Sequence, residues 1–557
     1  MTKISDETNV EKIERKSKKN MLLGTILGYL AIAISVCYGL FLTPEIVDAV
    51  GETDYGLYGL TSSIAVLLLM DFGLTNTIYT YLARLRANND KKGVETFTAS
   101  IFKLYMMLDV VFVIIIAVVF FISPYIFKAY YVDGAPIDPF NFDVSLPINK
   151  LRYLLLIVGG FTLISVPCSC FSAVMSAYEK FGMIKFADIV QKALYLAFSI
   201  VAIHMGWGII GIVLVNVLSG LLAVIIRILY SRFYIGIKLD LRLNVAKQDL
   251  KNILSFSGWG FVVTLCSRLV ITIAPTILGV ISNSAEVTLF SLVVTIEQYI
   301  FMVGEMMSSF FMAKIARNDA TGSEEEKREH LQNLAEKIGK LQFVVIALII
   351  CGFVSCGQEF VLVWMKGKGE LYNIYWCIVI ICSYEVFHIP QLALQNAMYT
   401  RGYIKPYAIT QIIKALVSLG LSFTLGSYFG AVGVAFGILG AQVVELIATN
   451  IVYRKYLKIS LRHYFSAIYI RGGITMAISI GVGLLLHFFL HMEYHMFVQF
   501  LIIGVIVVIT YGLCTIFITF KKDERKYYVS ALARVMHLDK FLKKDNKNET
   551  KEIENKE

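Results

Sequence analysis

The most constraining feature of this sequence is an internal repeat. The stretch from Glu179 to Arg232 recurs 222 positions later, as Arg401 to Arg454. The clearest matches are Lys192-Ala193-Leu194 with Lys414-Ala415-Leu416, and Trp207 to Gly211 with Phe429 to Gly433. Each copy is apolar and long enough for two membrane-spanning helices joined by a very short turn. Repeated halves of this kind usually line one path through a membrane protein.

The composition agrees with a membrane protein. Of the 557 residues, 57% are hydrophobic and only 17% are charged, whereas soluble domains carry about 25% charged residues. The apolar blocks predict an all-α polytopic membrane protein with about 14 transmembrane helices. The predicted spans are 22–43, 57–81, 101–123, 151–177, 186–206, 208–230, 255–281, 287–312, 339–364, 372–398, 407–428, 430–453, 466–489 and 496–520.

The repeat also predicts how the chain is divided. The expected segments are an N-terminal tail (1–21), a first six-helix half (22–230), a connector (231–254), a second six-helix half (255–453), two additional helices (454–520) and a basic tail (521–557). Six spans per half give both halves the same orientation. The last two helices could shape a lipid groove or simply pack, and residues 521–544 have the pattern of an amphipathic helix on an anionic inner leaflet.

The basic residues predict the orientation. Segments on one side of the membrane hold 42 of the 51 lysines and arginines, and such an excess marks the cytoplasmic side. Both termini are therefore expected in the cytoplasm. The net charge of +10 follows from this asymmetry and does not indicate a nucleic-acid partner.

No sequence signature indicates an enzyme. The chain has no phosphate-binding glycine loop, nucleophile elbow or helix with paired histidines and a glutamate, so neither catalysis nor a cofactor or metal is predicted. Cys168 and Cys170 lie in an apolar block and are interpreted as small packing residues.

Ionisable residues inside the predicted spans are the candidate functional residues, because a charge at the bilayer centre costs about 2.5–3.5 kcal/mol. The candidates for a substrate path are Arg268, Lys192, Lys414, Glu297, Glu385 and Asp71. Arg268 lies at the midpoint of its span, from which it cannot reach the interface, and is assigned to a cavity. The alternative is that these groups pair with one another; the two lysines could instead extend to the inner surface, and Asp71 could cap a glycine break.

A histidine stripe near the end of the thirteenth span is a further candidate. His487, His491 and His495 recur every four residues, with Glu493 beside them. On a helix they would share one face, which is compatible with a metal or a pH-sensitive patch. Ordinary interface histidines are the alternative.

The chain resembles a known family over about residues 20–520, and most clearly in the first 90. Gly51 to Tyr58, Asp71 to Asn76 and Tyr81 to Arg84 are similar to the bacterial O-antigen and capsule polysaccharide flippases of the multidrug/oligosaccharidyl-lipid/polysaccharide (MOP) exporter superfamily. The resemblance implies movement of an undecaprenyl-diphosphate-linked oligosaccharide across the bacterial cytoplasmic membrane by alternating access. Fourteen spans also resemble the lipid II flippase branch.

The main hypothesis is thus a flippase for lipid-linked oligosaccharides. Its expected partners are the polyprenyl-diphosphate-linked sugar, membrane lipids, a coupling cation (proton or sodium), and a polysaccharide polymerase with glycosyltransferases. The alternatives are a cation-coupled multidrug antiporter, a lipid II flippase, and a membrane scaffold for glycosyltransferases. Arg268 favours an anionic substrate, and the repeat favours a transporter over a scaffold.

The topology is directly testable. Tags near Asp138 should be reachable from outside the cell, whereas tags near Asn89, Glu325 or Lys547 should be reachable only from inside, because the cations cluster on that side. Labelling of Asn89 by an impermeant external reagent would contradict the predicted orientation.

Overall fold

The computed structural model describes most of the chain between residues 27 and 525. The residues outside its description are 1–26, 69–77, 79–80, 83–84, 87, 89, 133–134, 243–246, 319–322, 368–371, 491–495, 521–523 and 526–557. For 247–257 and 305–318 only the backbone is described. The predicted amphipathic tail helix therefore lies outside the described residues.

The described chain is helical, with no strand beyond an isolated bridge between Val132 and Ala135. Its helices are α1 (Leu27–Val50), α2 (Glu52–Leu68), α3 (Lys91–Ile126), α4 (Pro147–Ala177), α5 (Phe181–His204), α6 (Gly208–Ile235), α7 (Lys247–Arg268), α8 (Ala274–Ile281), α9 (Ser284–Asn318), α10 (Glu324–Trp364), α11 (Asn373–Thr400), α12 (Ile404–Leu457), α13 (Leu461–Phe489) and α14 (Met496–Thr519).

The predicted fold class is confirmed. Each of the fourteen predicted spans coincides with helix over most of its described part: α7 and α8 share one span, and α12 holds two. Within the described residues, eleven helices are long and apolar enough by themselves to cross a membrane.

The outward surface of α3 shows why these helices belong in lipid. Met107 and Ile114 are 71% and 58% exposed, while Tyr105 and Phe112, on the other face, are buried. The buried face packs with residues of α4 such as Val174. Because both faces are apolar, the exposed one would be unfavourable in water and is suited to hydrocarbon.

The chain forms two compact units. The first comprises residues 1–303, 364–384 and 398–457, and the second comprises 304–363, 385–397 and 458–557. In the second unit, the Tyr464 hydroxyl donates to the Pro390 carbonyl at 2.7 Å. The division into two like-oriented six-helix halves remains a prediction.

The first predicted outer loop, residues 44–56, is a correction to the sequence interpretation. α1 continues to Val50 and α2 starts at Glu52, so that Gly51 alone (φ +83°) turns the chain. The acidic residues assigned to that loop are largely paired with cations. Lys366 contacts Glu45 and Asp48 at 2.9 and 2.7 Å, and hydrogen bonds to these carboxylates raise the pKa of Lys366.

The two copies of the repeat have a glycine with positive φ at the same position of their short turns. Gly208, the first residue of α6, and its counterpart Gly430, within α12, both have positive φ, at +61° and +59°. Only glycine adopts such backbone without a steric penalty. The Ala431 amide after the turn donates to the Glu286 carboxylate at 2.7 Å, which satisfies a free N–H at a helix start and places negative charge there.

Replacing Gly430 should therefore destabilise the protein. Gly430→Ala forces a side chain into left-handed backbone and brings its Cβ to 3.0 Å from the Glu286 carboxylate, at an expected cost of about 1–3 kcal/mol. Thermal unfolding of the purified protein measures the change. Gly420→Ala is the matched control, because that helical position of α12 has open space around it; an equal loss in both variants would contradict the argument.

Candidate functional site

The seventh predicted span is broken in its middle. α7 ends at Arg268, residues 269–273 form turns, and α8 starts at Ala274. Pro275 accounts for the interruption, because its ring has no N–H and clashes with helical backbone one turn earlier. Non-helical backbone at membrane depth is tolerated only where it is buried in protein or lines a cavity.

A side chain of α2 satisfies the broken backbone. The Ser63 hydroxyl donates to the Thr272 carbonyl at 2.5 Å and lies 2.8 Å from the Thr276 hydroxyl. Ser63 is itself buried. This contact ties α2 to the break and to α8, and it gives the Thr272 carbonyl a hydrogen-bond donor from another helix.

Arg268 stands at the edge of this break. As the last helical residue of α7, it has an exposed side chain. Within the described part of the chain, its guanidinium forms no hydrogen bond or ion pair. The alternative of an Arg268–Glu297 or Arg268–Glu385 structural pair therefore has no support in this structure, and the cation is available to a ligand.

A cavity of about 240 Å³ lies beside the break, within the first compact unit. Thr272 and Pro275 contribute to its wall. The rest of the wall comes from α1, α2 and α9, mainly through aromatic and hydroxyl side chains: Tyr38, Thr43, Tyr55, Tyr58, Ser62, Ser63, Ser291, Thr295, Gln298 and Tyr299. Among the described residues, no formally charged side chain lines it.

The cavity wall is closely packed. The Tyr38 hydroxyl donates to the Tyr195 hydroxyl of α5 at 2.7 Å, and the two rings are 5.0 Å apart. A Cβ at Gly59 of α2 would come within 1.9 Å of the Ser291 hydroxyl of α9. Glycine thus allows the two helices to approach closely, which gives the cavity a defined shape.

Lys414 is a buried structural cation in this structure. Its ammonium contacts the Glu445 carboxylate at 2.7 Å, and their side chains are only 9% and 2% exposed. Tyr384 and Gln411 donate to the same carboxylate at 2.7 and 2.6 Å. This network satisfies both charges internally, so Lys414 does not extend to the membrane surface.

Lys192, the repeat counterpart of Lys414, has a different environment. It is half-buried and donates to the Ala31 carbonyl at 3.1 Å and to the Ser35 hydroxyl, both on α1. No carboxylate contacts it within the described residues. It joins α5 to α1 while keeping its charge only partly compensated.

The remaining candidates are dispersed. Glu297 is buried on α9, next in sequence to the cavity residue Gln298. Glu385 is buried in the second unit and lies 3.1 Å from His388. Asp71 lies outside the described residues, as do His491 and His495. The assignment of these residues to a substrate path remains a prediction.

Sequence reasoning missed two features of the site. The sequence contains 31 tyrosines, but nothing in their spacing indicates which of them share the cavity. Glu359, a buried carboxylate of α10 in contact with His487, is not among the residues predicted from the sequence. The Pro275 break was visible in sequence as a proline inside a predicted helix.

Comparison with known proteins supports the class. A family model described as "Polysaccharide biosynthesis protein" matches residues 22–313, just over half of the chain. The fold is similar to the lipid II flippase MurJ in an inward closed conformation, with TM-score 0.65 and 12% identity, covering 88% of this chain and 98% of that one. No curated protein sequence matches the chain.

Multidrug transporters share the fold as well. An inward-facing multidrug resistance MATE family transporter of the MOP superfamily gives TM-score 0.60 and 14% identity over 79% of this chain and 98% of that one. The fold is that of a multi-pass helical membrane protein. The chain belongs to the family of polysaccharide biosynthesis proteins.

The structural role of Lys414 is testable. Lys414→Met leaves Glu445 as an uncompensated buried charge and should lower stability by about 3–5 kcal/mol, seen as reduced membrane abundance and a lower unfolding temperature. The double change Lys414→Met with Glu445→Gln should recover most of the loss, because neither charge then remains. A single variant that is fully stable but cannot transport would instead place Lys414 on the substrate path.

Proposed function

We propose that this protein is a flippase that moves an undecaprenyl-diphosphate-linked oligosaccharide from the inner to the outer leaflet of the bacterial cytoplasmic membrane by alternating access. The observation that carries the proposal is the position of Arg268. Arg268 is an exposed cation at a break in a predicted span, and it has no ion pair within the described chain. Two residues that line the cavity, Thr272 and Pro275, follow it closely in sequence.

Arginine suits the diphosphate part of such a substrate. Its planar guanidinium presents several N–H donors that match phosphate oxygens in pairs. An unpaired arginine in a membrane span is costly unless a cavity or an anion compensates it. A diphosphate passing the break would supply that compensation during transport.

The cavity suits the sugar part. Tyrosine rings offer flat apolar faces, and the tyrosine, serine and threonine hydroxyls can donate to or accept from sugar hydroxyls. Its volume of about 240 Å³ is below the roughly 300–1,000 Å³ of typical ligand pockets. It would thus hold part of an oligosaccharide rather than the whole headgroup.

The alternative functions predict other residues in the wall of the cavity. A cation-coupled multidrug antiporter needs a carboxylate facing its ligand, and the described cavity wall has none; Glu297 is only the sequence neighbour of the wall residue Gln298. A lipid II flippase remains close by fold, and differs in the sugar that it carries. A scaffold for glycosyltransferases would need neither an unpaired arginine nor a cavity.

The test is a host strain that lacks this protein and receives variants of it. Without the protein, undecaprenyl-linked oligosaccharide should accumulate on the inner leaflet while surface polysaccharide is lost. Arg268→Ala should reduce flipping at least about tenfold, because a hydrogen bond to a charged group contributes about 1.5–3 kcal/mol. Arg268→Lys should keep part of the activity through its point charge.

Arg471→Ala is the matched control, because Arg471 is another exposed arginine of a predicted span but lies in the second unit. It should flip normally. Full flipping by Arg268→Ala would refute the assigned role of Arg268. If surface polysaccharide persists in a strain with no redundant flippase, while sensitivity to cationic drugs rises, the antiporter alternative is favoured.

A further inference from the structure

A second polar site lies in the other compact unit, where α10, α13 and α14 meet. Glu359 of α10 is only 4% exposed. One carboxylate oxygen, Oε1, accepts from the Gln499 amide of α14 at 2.7 Å and lies 2.6 Å from Nδ1 of His487 on α13. These three side chains connect the two additional helices to α10.

The second carboxylate oxygen of Glu359, Oε2, has a different environment. Glu359 Oε2 is buried and has no hydrogen-bond partner among the described residues. The buried hydroxyl of Ser355, one helical turn earlier, also lacks one there. A buried, ionised oxygen without a hydrogen-bond donor is unfavourable, whereas a protonated carboxyl needs fewer donors.

The backbone around the site is adapted to close contact. α10 is interrupted at Cys356, where φ is −137° and ψ is 19°. On α13, a Cβ at Gly483 would come within 2.1 Å of the Ser355 hydroxyl. Ser355 and Gly483 thus meet one turn before Glu359 and His487 meet, so both contacts lie along the same helix–helix seam.

Access differs between the two titratable partners. The His487 side chain is 34% exposed, whereas that of Glu359 is 6% exposed. The imidazole can therefore exchange protons with its surroundings while the carboxylate cannot do so directly. Histidine is the side chain best suited to such exchange near neutral pH.

We propose that Glu359, His487 and Gln499 form a proton-binding site in which Glu359 is the group that gains and loses the proton. A protonated His487 passes its Nδ1 proton to the Glu359 carboxylate. The products are a neutral imidazole, which keeps the Nε2 proton that it took up beforehand from a hydronium ion, and a neutral carboxylic acid. The transfer removes an ion pair from a low-dielectric region, where keeping two charges costs several kcal/mol per ion.

Hydrogen-bond donors stabilise the charged carboxylate of Glu359, whereas burial stabilises its neutral, protonated form. His487 and Gln499 stabilise the carboxylate through Oε1, and the unsatisfied Oε2 opposes it. Cys356 is the other titratable group that interacts with Glu359 among the described residues. His491, Glu493 and His495 follow on the chain outside those residues. Since Gln499 and His487 hold α14 and α13 onto α10, proton binding would change how the additional helices are held.

The test is a pH titration of the purified full-length protein by infrared difference spectroscopy, which needs no substrate and is independent of the flippase proposal. A protonated-carboxyl band should grow as the pH falls and should be missing in Glu359→Gln. In Gln499→Leu the band should appear at higher pH, because the carboxylate loses a donor. His487→Phe should keep the band but slow its appearance after a pH jump.

Glu336→Gln is the matched control. Glu336 also lies 2.6 Å from a histidine, His463, but that imidazole is 67% exposed, so this variant should keep the band of Glu359. An unchanged spectrum in Glu359→Gln would overturn the proposal. If Glu359→Gln does not fold, an unmoved midpoint in Gln499→Leu would overturn it as well. A midpoint that falls when sodium replaces potassium would identify the occupant as an alkali-metal ion and not a proton alone.

Discussion

Hydrogen bonding of the backbone in hydrocarbon is the constraint on which the rest of this structure depends. Lipid offers no partner for a free N–H or C=O, so each span has to be a helix with internal hydrogen bonds. The break at 269–273 is an exception to this rule. It persists because Ser63 of α2 donates to the freed Thr272 carbonyl and because its residues face a cavity and other helices.

Charged side chains inside the membrane need partners for the same reason as backbone groups do. Lys414 and Glu445 are both buried and satisfy each other, with Tyr384 and Gln411 completing the network. Arg268 is treated differently, since the described chain provides it with no counter-ion. Two cations that look alike in a hydropathy plot thus have different environments: Lys414 is buried and paired, whereas Arg268 is exposed and has no counter-ion among the described residues.

The site at Glu359 differs in its chemistry from the cavity near Arg268. The cavity near Arg268 is neutral and lined with hydroxyls, which suits a sugar, whereas the site between α10, α13 and α14 has a carboxylate and an imidazole in contact. Placing substrate chemistry and proton chemistry on different helices would allow each to be tuned without disturbing the other. It would also give the two additional helices a function beyond packing.

The sequence by itself determined the helical membrane fold, because apolar blocks of span length and the hydrogen-bonding constraint leave no other class. It also indicated the turns at Gly208 and Gly430, through the repeat, and Arg268 as an unusual residue. Only the tertiary structure decided which charges are paired. Glu359 and His487 are 128 positions apart, and Tyr38 meets Tyr195 across 157. Such contacts depend on how helices rotate and pack against each other, and local patterns of hydropathy carry no information about that.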